Sequence, residues 1–512
     1  MIGEAIFFAL LQGIGFVVAR ITAGRDLSLT AAATLALPTG AAAFVLLSWL
    51  RLVVGLGWSL WTTLAVLAVA AMATALAGKH RPQSSPVVLA VGAASILAVG
   101  GLSAAFSALP LTQVTPDSFR YIQIGSIVAE TGSLDEVRDF LLIQRPLFLP
   151  LLYAPAVTLH DGVFMASAIP LLTVTGVAAT ASLAHAALRK MGTPTPWRMT
   201  LLGSALVVLV TTNRAVYNVF YVNTHMMFAL YLGLVVLALW SARAHLGRPP
   251  VILLATWLAA LLLLRPEAMA VISLVLVVMV VDDRFAISTR MATVLPPSFM
   301  AIAWYGIAVR ARVATGTGTG DTLVNGSLVI GVGMVALVAL AAKAPHRLRS
   351  LVRRAPMVAL AALALLVVSV AVTTPSVISG TAASTWDNVA GKGFWGVTWI
   401  GLPVLVLVAA TARLPASAYW LVPLGGFPLL LLALNDTRGA AVTGPLDSTN
   451  RMLMHIVFVA LLFVVLTTGR AIASGVSAQS TATSLRAKRH QRPDDGTRAV
   501  VRRGERPRPK SS

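Results

Sequence analysis

Apolar stretches of about 20 residues recur along most of the chain, and each is long enough to cross a bilayer as a helix. Hydrophobic residues make up 57% of the 512 positions and charged residues only 11%, whereas soluble domains contain about 25% charged residues. These proportions exclude a water-soluble globular enzyme. We therefore predict an all-α fold, a polytopic transmembrane bundle of about 12–16 apolar helices over residues 1–470.

Basic residues are concentrated in short loops and in the C-terminal tail. Lys and Arg outnumber Asp and Glu by 39 to 18, which gives a net charge of +21. The positive-inside rule places such loops in the cytoplasm. Residues 471–512 are rich in Ser, Thr, Pro and Arg and have no apolar period, so we predict a disordered basic cytoplasmic tail that contacts membrane lipids. We expect a multi-pass protein of the cell membrane.

Several kinds of site are excluded by the sequence. The chain has no cysteine, which excludes disulfides, thiol catalysis and Cys-based metal sites. No Walker loop, Rossmann glycine fingerprint or His-Glu-x-x-His motif occurs, so we expect neither an ATP site nor a zinc-protease site. The positive charge is not accompanied by a nucleic-acid-binding motif, and no nucleic-acid partner is predicted. Any energy must then come from an ion gradient or from an activated lipid substrate.

The longest loop predicted on the outer side covers residues 109–145. Five carboxylates lie in it, and Arg120 and Arg138 are interleaved with them. Apolar residues recur at helical spacing between positions 117 and 129, which predicts an amphipathic helix on the outer surface. Ser133 followed by Glu136 has the spacing of a capping box and predicts a second short helix.

Asp117 is the main candidate for catalysis in this loop. It follows Pro116 where the chain leaves the membrane, and a partly desolvated carboxylate at that boundary has a raised pKa and is suited to act as a general base. The alternative is structural, because Pro-Asp-Ser before a periodic run is also the pattern of a helix N-cap. Spacing alone favours the N-cap.

The segment Arg265-Pro266-Glu267 interrupts the otherwise mostly apolar residues 250–281. Each flank has about 15 residues and would rise about 22 Å as a helix, less than the roughly 30 Å hydrocarbon core. Ionisable residues at membrane depth indicate function by default. The alternative is a hairpin whose tip only reaches the outer headgroups.

Three further polar segments are expected on the outer side. Arg145-Pro146 opens a proline-rich apolar stretch, which argues against a plain spanning helix. Residues 211–225 combine tyrosines, asparagines and His225, a composition that suits sugar recognition but slightly favours an interfacial aromatic belt. Arg451 and His455 are four positions apart and share one helix face, where they either hold a phosphate or snorkel to the interface.

The pattern resembles the GT-C superfamily of membrane glycosyltransferases. The resemblance covers residues 87–285 and is carried by Asp117 in the first large outer loop, the amphipathic helices after it, Arg145-Pro146-Leu147 with Pro150, and Leu264-Arg265-Pro266-Glu267-Ala268. Members of this superfamily have an acidic catalytic residue in that loop and take sugars from polyprenyl-phosphate donors. Many of them carry two adjacent acids, whereas this chain has Asp117-Ser118.

The resemblance implies an inverting sugar transfer on the extracytoplasmic side, with Asp117 as general base and a glycan or lipid acceptor. The residues assigned to the substrate and its phosphate are Arg120, Arg145, Arg265, Glu267, Arg451 and His455. No metal ligand is assigned, no cofactor is required, and a divalent cation is left open. Two other functions also fit the sequence, a lipid or small-molecule transporter without an ATP site and an accessory membrane protein.

Overall fold

The computed structural model describes residues 2–23, 27–77, 85–137, 146–160, 162, 164–246, 250–265, 267–316, 322–343, 350, 352–412, 414–435 and 448–490. All regular elements in these ranges are helices. In chain order they are α1 (Ile2–Ala23), α2 (Leu29–Val53), α3 (Leu60–Ala77), α4 (Pro86–Ala108), α5 (Pro116–Thr131), α6 (Phe148–Tyr153), α7 (Pro155–His160), α8 (Ala168–Lys190), α9 (Thr195–Thr211), α10 (Asn213–Phe220), α11 (His225–Arg243), α12 (Val251–Leu264), α13 (Ala268–Val281), α14 (Ile287–Thr315), α15 (Thr322–Lys343), α16 (Ala355–Thr373), α17 (Pro375–Asp387), a π-helical turn (Asn388–Lys392), α18 (Thr398–Thr411), α19 (Ala418–Asn435), α20 (Ser448–Met452) and α21 (Met454–His490).

Within the described ranges, nine helices are long and apolar enough to cross a bilayer. The number is ten if α9 and α10, which are bent by 75° at their junction, form one broken span. Six shorter apolar helices have 10–17 residues. The prediction of a polytopic helical bundle is confirmed, although several of the predicted spans are too short to cross alone.

The centre of the bundle is formed by α11 and α21, whose membrane windows are almost entirely buried inside the protein. Close contact between helices depends on small residues, as is common in membrane bundles. A Cβ atom at Gly15 of α1 would lie 1.8 Å from the Ala36 carbonyl oxygen of α2, and one at Gly40 would lie 2.1 Å from the Leu11 carbonyl oxygen. Larger residues at either glycine would push α1 and α2 apart.

The helices α12 and α13 form a buried hairpin. Arg243, before α12, pairs with Asp282, directly after α13, so the open ends of both arms lie on the same side of the bundle. Each arm has 14 residues and rises about 21 Å, less than the roughly 30 Å core. The tip around Arg265 and Glu267 therefore lies deeper than the ends of full-length spans.

The two ends of the bundle differ in their charged groups. We call the end with the hairpin tip the site end, and the opposite end the basic end. At the basic end, the Lys190 ammonium group donates to the Leu246 carbonyl oxygen, and Arg353 pairs with Asp283. Further basic side chains there are Arg189, Arg243, His245 and Arg284.

A buried carboxylate in α1 connects three helices at the site end. Glu4 is only 4% exposed. Its Oε2 accepts hydrogen bonds of 2.6 Å from the Ser107 hydroxyl of α4 and from the Ser167 hydroxyl. Backbone N–H groups of Ala166 and Ser167 donate to the two carboxylate oxygens at 3.2 Å. Since these N–H groups precede α8, the carboxylate also lies at the positive end of that helix dipole.

The predicted amphipathic helix at 117–129 is present as α5, which ends at Gly132 in the left-handed conformation. Ser133 to Val137 form turns, and the rest of the predicted second helix lies outside the described residues. Arg310, a basic residue on the predicted outer side, donates to Asp135 at 2.8 Å. This hydrogen bond is the main cause of the lowered pKa of the Asp135 carboxyl.

Two segments differ from a single spanning helix: one is divided into two short helices, and the other continues past the membrane. Residues 148–160 form two six-residue helices, α6 and α7, which agrees with the prediction that prolines break this stretch. The last helix continues to His490, past position 471 where the disordered tail was predicted to begin. Loss of the apolar period marks where helix burial ends, but it does not end a helix that has five alanines and no proline between residues 471 and 490. Residues 491–512 lie outside the described ranges.

Candidate functional site

Four chain segments bring polar side chains together at the site end. They are the first turn of α5, residues 214–225, the tip of the α12–α13 hairpin, and residues 451–455 at the start of the last span. Three of them are helix termini or breaks between helices, and residues 214–225 contain most of α10 together with the break that follows it. At such breaks some backbone N–H and C=O groups have no hydrogen-bond partner within a helix. Polar side chains from distant parts of the sequence can therefore gather there.

The hairpin tip contributes a buried ion pair. Arg265 follows α12 in extended conformation, and Glu267 occupies the N-cap position of α13. Arg265 Nη2 lies 2.9 Å from Glu267 Oε1, and Arg265 Nε donates to the same oxygen at 3.0 Å. The two side chains are 10% and 0% exposed. At this burial either charge alone would be strongly destabilising, so each one holds the other in place.

Two histidines extend the polar contacts from Arg265 into the core. Arg265 Nη1 lies 3.5 Å from His225 Nε2, and His225 Nδ1 lies 2.8 Å from His455 Nε2. A guanidinium can only donate, so His225 Nε2 accepts and its Nδ1–H donates to His455. The imidazole rings are stacked with centroids 5.0 Å apart, and Phe228 packs on His455. This order of donors and acceptors specifies one tautomer for each neutral ring.

Arg451 connects the start of the last span to the loop after α4. Its Nη1 donates to the Tyr221 hydroxyl at 3.4 Å, and this hydroxyl lies 3.2 Å from Thr115 Oγ1. Thr115 is the N-cap residue of α5. The guanidinium of Arg451 is therefore joined through two hydroxyl groups to the start of that helix.

Backbone pairing fixes the start of α5 against residues 220–222. The Gln113 N–H donates to the Phe220 carbonyl oxygen at 2.8 Å, and the Val222 N–H donates to the Gln113 carbonyl oxygen at 3.1 Å. The buried Ser118 hydroxyl donates to the Val222 carbonyl oxygen and accepts from the Thr115 N–H, both at 3.0 Å. The first turn of α5 is thus held in a defined position beside Tyr221.

Three of the residues predicted for the site are connected by contacts in the structure, and a fourth, Arg451, lies near enough for its charge to act on His225. Arg265 and Glu267 form the ion pair, His455 contacts His225, which in turn contacts Arg265, and Arg451 contacts Tyr221. Arg265 and Glu267 precede Arg451 and His455 by nearly two hundred positions in the sequence. Their proximity is a product of the fold.

For the other predicted residues, the structure describes only part of the surroundings or none. Asp117 is the second residue of α5, next to the hydrogen-bonded Ser118, but its side chain is not among the described ones. Arg120 is half-buried, about one turn further along the same helix. Arg145 lies outside the described residues.

The sequence-based prediction did not assign Arg214, Tyr221 or His225 to the site. Arg214 is 1% exposed and its guanidinium carbon lies 5.3 Å from the centre of the Tyr217 ring. The charges of Arg265, Arg451 and Arg214 all act on the His225 ring. The polar and aromatic composition of residues 211–225 was the available signal, but it equally described an interfacial belt.

The arrangement suits a large anion better than a metal ion. The described side chains supply three guanidinium groups and one carboxylate around His225, and guanidinium groups bind phosphate and carboxylate oxygens in pairs. Within the described part of the chain, no three His, Asp or Glu side chains are close enough to hold a metal ion together. One of these guanidinium groups, that of Arg451, is joined through Tyr221 and Thr115 to the start of α5.

Comparison with known proteins gives no match: no protein-family model, no curated protein and no solved structure is significantly similar to this chain.

Proposed function

We propose that this protein is a membrane glycosyltransferase, which moves a sugar from a polyprenyl-phosphate donor to a glycan or lipid acceptor. The observation that carries the proposal is that Arg265 contacts His225, which contacts His455, while Arg451, four positions before His455, is joined through Tyr221 to Thr115 at the start of α5. Such a transfer needs cationic groups for a lipid phosphate and a base for the acceptor hydroxyl, close to one another and within reach of the membrane.

In this proposal, Arg265 and Arg451 bind the phosphate of the donor, and its polyprenyl tail lies between helices. Glu267 holds the Arg265 guanidinium in its orientation through the 2.9 Å ion pair. His455 orients His225 in the same way through their 2.8 Å hydrogen bond. Cations fixed before the reaction stabilise the charge that develops on the departing phosphate.

Asp117 is proposed as the general base, as the GT-C resemblance implies. The acceptor hydroxyl gives its proton to the Asp117 carboxylate while its oxygen attacks the anomeric carbon. The bond from that carbon to the phosphate oxygen breaks, its electron pair stays on the phosphate, and polyprenyl phosphate leaves. A single displacement of this kind inverts the anomeric configuration.

The site end is proposed to face the extracytoplasmic side. Arg189, Lys190, Arg284 and Arg353 lie at the opposite end, and basic residues near span ends favour the cytoplasm. Since α21 starts at the site end, its C-terminal continuation lies on the cytoplasmic side in this proposal.

The proposal is tested with purified protein in lipid nanodiscs, supplied with a panel of radiolabelled polyprenyl-phosphate sugars and a membrane extract as acceptor source. Asp117→Asn removes the base, so we expect transfer to fall by about a hundredfold or more. Glu130→Gln changes another carboxylate of the same helix, exposed in its last turn, and is the matched control that retains activity.

Binding of polyprenyl phosphate, the product common to all such donors, gives a second measurement that does not depend on the choice of sugar. Arg451→Gln should weaken it about tenfold or more, since hydrogen bonds to charged groups contribute about 1.5–3 kcal/mol. Wild-type protein that does not bind polyprenyl phosphate, or an Asp117→Asn variant with full transfer activity, would contradict the proposal. Movement of the intact donor across proteoliposomes without cleavage would favour the transporter instead.

A further inference from the structure

A second site lies at the basic end, on the far side of the membrane from the cluster around His225. A groove of about 610 Å³ runs between α8, α9 and α21, next to the start of α2. Its walls are mostly apolar, with Leu202, Leu209 and Phe458 among them. This volume lies within the roughly 300–1,000 Å³ of typical ligand pockets.

The groove opens sideways toward the lipid along α9. Gly203 and Leu206 both line it and are exposed, and a Cβ atom at Gly203 would have no neighbour within 4 Å. A chain lying in the groove would therefore have protein on one side and bilayer on the other.

Basic side chains are grouped at one end of this groove. His185 and Arg189 line it on α8, and the charges of Arg198 and Arg189 both act on the His185 ring. Arg198 is one helical turn before Leu202 on α9, so it continues the lining face toward the helix start.

Arg198 is the second, independent observation that points to an anionic ligand. It is only 9% exposed, and its Nη2 donates to Thr195 Oγ1. Its Nε and Nη1 are also buried, and no group among the described residues accepts a hydrogen bond from them. A buried guanidinium with unused donors is costly unless an anion satisfies it.

The length of the groove indicates a lipid from a single leaflet. Its lining residues on α8 extend from Val177 to Arg189, which is about 18 Å of helix. Half of a roughly 30 Å hydrocarbon core is similar in length. One acyl chain therefore fits between the basic end and the middle of the membrane, whereas a polyprenyl chain is longer than this groove.

We propose that the groove binds an anionic diacyl phospholipid of the leaflet at the basic end. One acyl chain lies between α9 and α21, the other remains in the bilayer, and the phosphate accepts hydrogen bonds from Arg198, with Arg189 and His185 beside it. This binding is separate from the proposed sugar transfer and does not depend on it.

Native mass spectrometry of the delipidated full-length protein tests the proposal, with phosphatidylglycerol and phosphatidylcholine of identical acyl chains as probes. We expect one tightly bound phosphatidylglycerol, with at least tenfold weaker binding of phosphatidylcholine. Arg198→Gln should weaken phosphatidylglycerol binding at least tenfold and Arg198→Lys less. Gly203→Phe, which fills the groove, should abolish it.

Two matched variants serve as controls. Lys343→Gln removes an exposed charge of another helix at the end of its span, and Gly306→Phe replaces another exposed helical glycine whose added Cβ meets no neighbour within 4 Å. Both should bind phosphatidylglycerol like the wild type, and thermal unfolding shows which variants are folded.

A measurement on the wild-type chain avoids any dependence on folding of the variants. Phosphatidylglycerol with a photoreactive acyl chain should crosslink to peptides that contain Met199 to Leu209 or Phe458 to Val465. Crosslinks spread evenly over all spans, equal binding of both phospholipids, or preferential binding of polyprenyl phosphate in this groove would overturn the proposal.

Discussion

At the scale of single residues, the site depends on charges that compensate one another away from water. Arg265 and Glu267 are connected by two contacts to one carboxylate oxygen, and both lie at the tip of a hairpin whose arms have 14 residues each. In such surroundings the desolvation cost of each ion is large, so the pair is a weak source of stability while the loss of either partner is severe.

This asymmetry gives a prediction for the ion pair. Glu267→Gln leaves the Arg265 guanidinium buried without its carboxylate and should cost about 3–5 kcal/mol of stability. The double substitution of Arg265→Met and Glu267→Leu removes both charges and should cost less than Glu267→Gln alone. Thermal unfolding in detergent, followed by tryptophan fluorescence, measures the order of the three midpoints.

A surface pair is the control for this measurement. Asp135→Asn removes the carboxylate of the exposed pair with Arg310, where water screens the charges, and should change the unfolding midpoint very little. A double variant of Arg265 and Glu267 that is as unstable as Glu267→Gln would show that shape, not charge, determines the stability of the hairpin tip.

At the scale of helices, the position of α5 is determined by its first turn. Ser118 makes two hydrogen bonds there, one to the Val222 carbonyl oxygen and one from the Thr115 N–H. The second residue of this helix is Asp117, the proposed base. A shift of about 1 Å in a catalytic group can lower a rate about a hundredfold, so the hydroxyl of Ser118 has an indirect role in positioning.

Ser118→Ala should therefore lower the rate of sugar transfer at saturating donor by between about tenfold and a hundredfold. Binding of polyprenyl phosphate should change much less, because Arg265 and Arg451 are held by other segments. Ser126→Ala, a half-buried serine of the same helix, is the matched control. If both variants transfer sugar at the same reduced rate, α5 is not positioned by its first turn.

The sequence predicted the helices better than the contacts between them. Hydropathy located the helices, helical spacing located α5, and the interruption at Arg265-Pro266-Glu267 located the hairpin tip. The contacts of His225 with His455 and of Arg451 with Tyr221 join residues 230 positions apart. No local sequence pattern predicts such a contact, because the contact depends on how α11 and α21 pack. Glu4 was missed for the same reason, since its partners belong to α4 and to the start of α8.

At the scale of the whole molecule, we predict that the two ends of the bundle differ in their accessibility to a reagent added outside the cell. The chain contains no cysteine, so one introduced cysteine reports on one position. Glu136→Cys, exposed at the site end, should react with a membrane-impermeant maleimide added to intact cells. Arg354→Cys, exposed at the basic end, should react only after the membrane is permeabilised.

Detergent-solubilised protein is the control, because both cysteines should react there at similar rates. The reverse pattern in intact cells would place the site end in the cytoplasm. The proposed transfer on the extracytoplasmic side would then be wrong, while the bundle itself would be unaffected.

The anchoring of Glu4 has a consequence for how the protein is made. Its hydrogen-bond partners Ser107 and Ser167 are synthesised more than a hundred residues later. During translation α1 therefore leaves the ribosome with a carboxyl group whose final partners have not yet been synthesised. Its N-terminal turn has to stay at an aqueous boundary, in the translocon or at the headgroups, until the later spans arrive. The helix α1 therefore reaches its final position only after α4 and the start of α8 have been made.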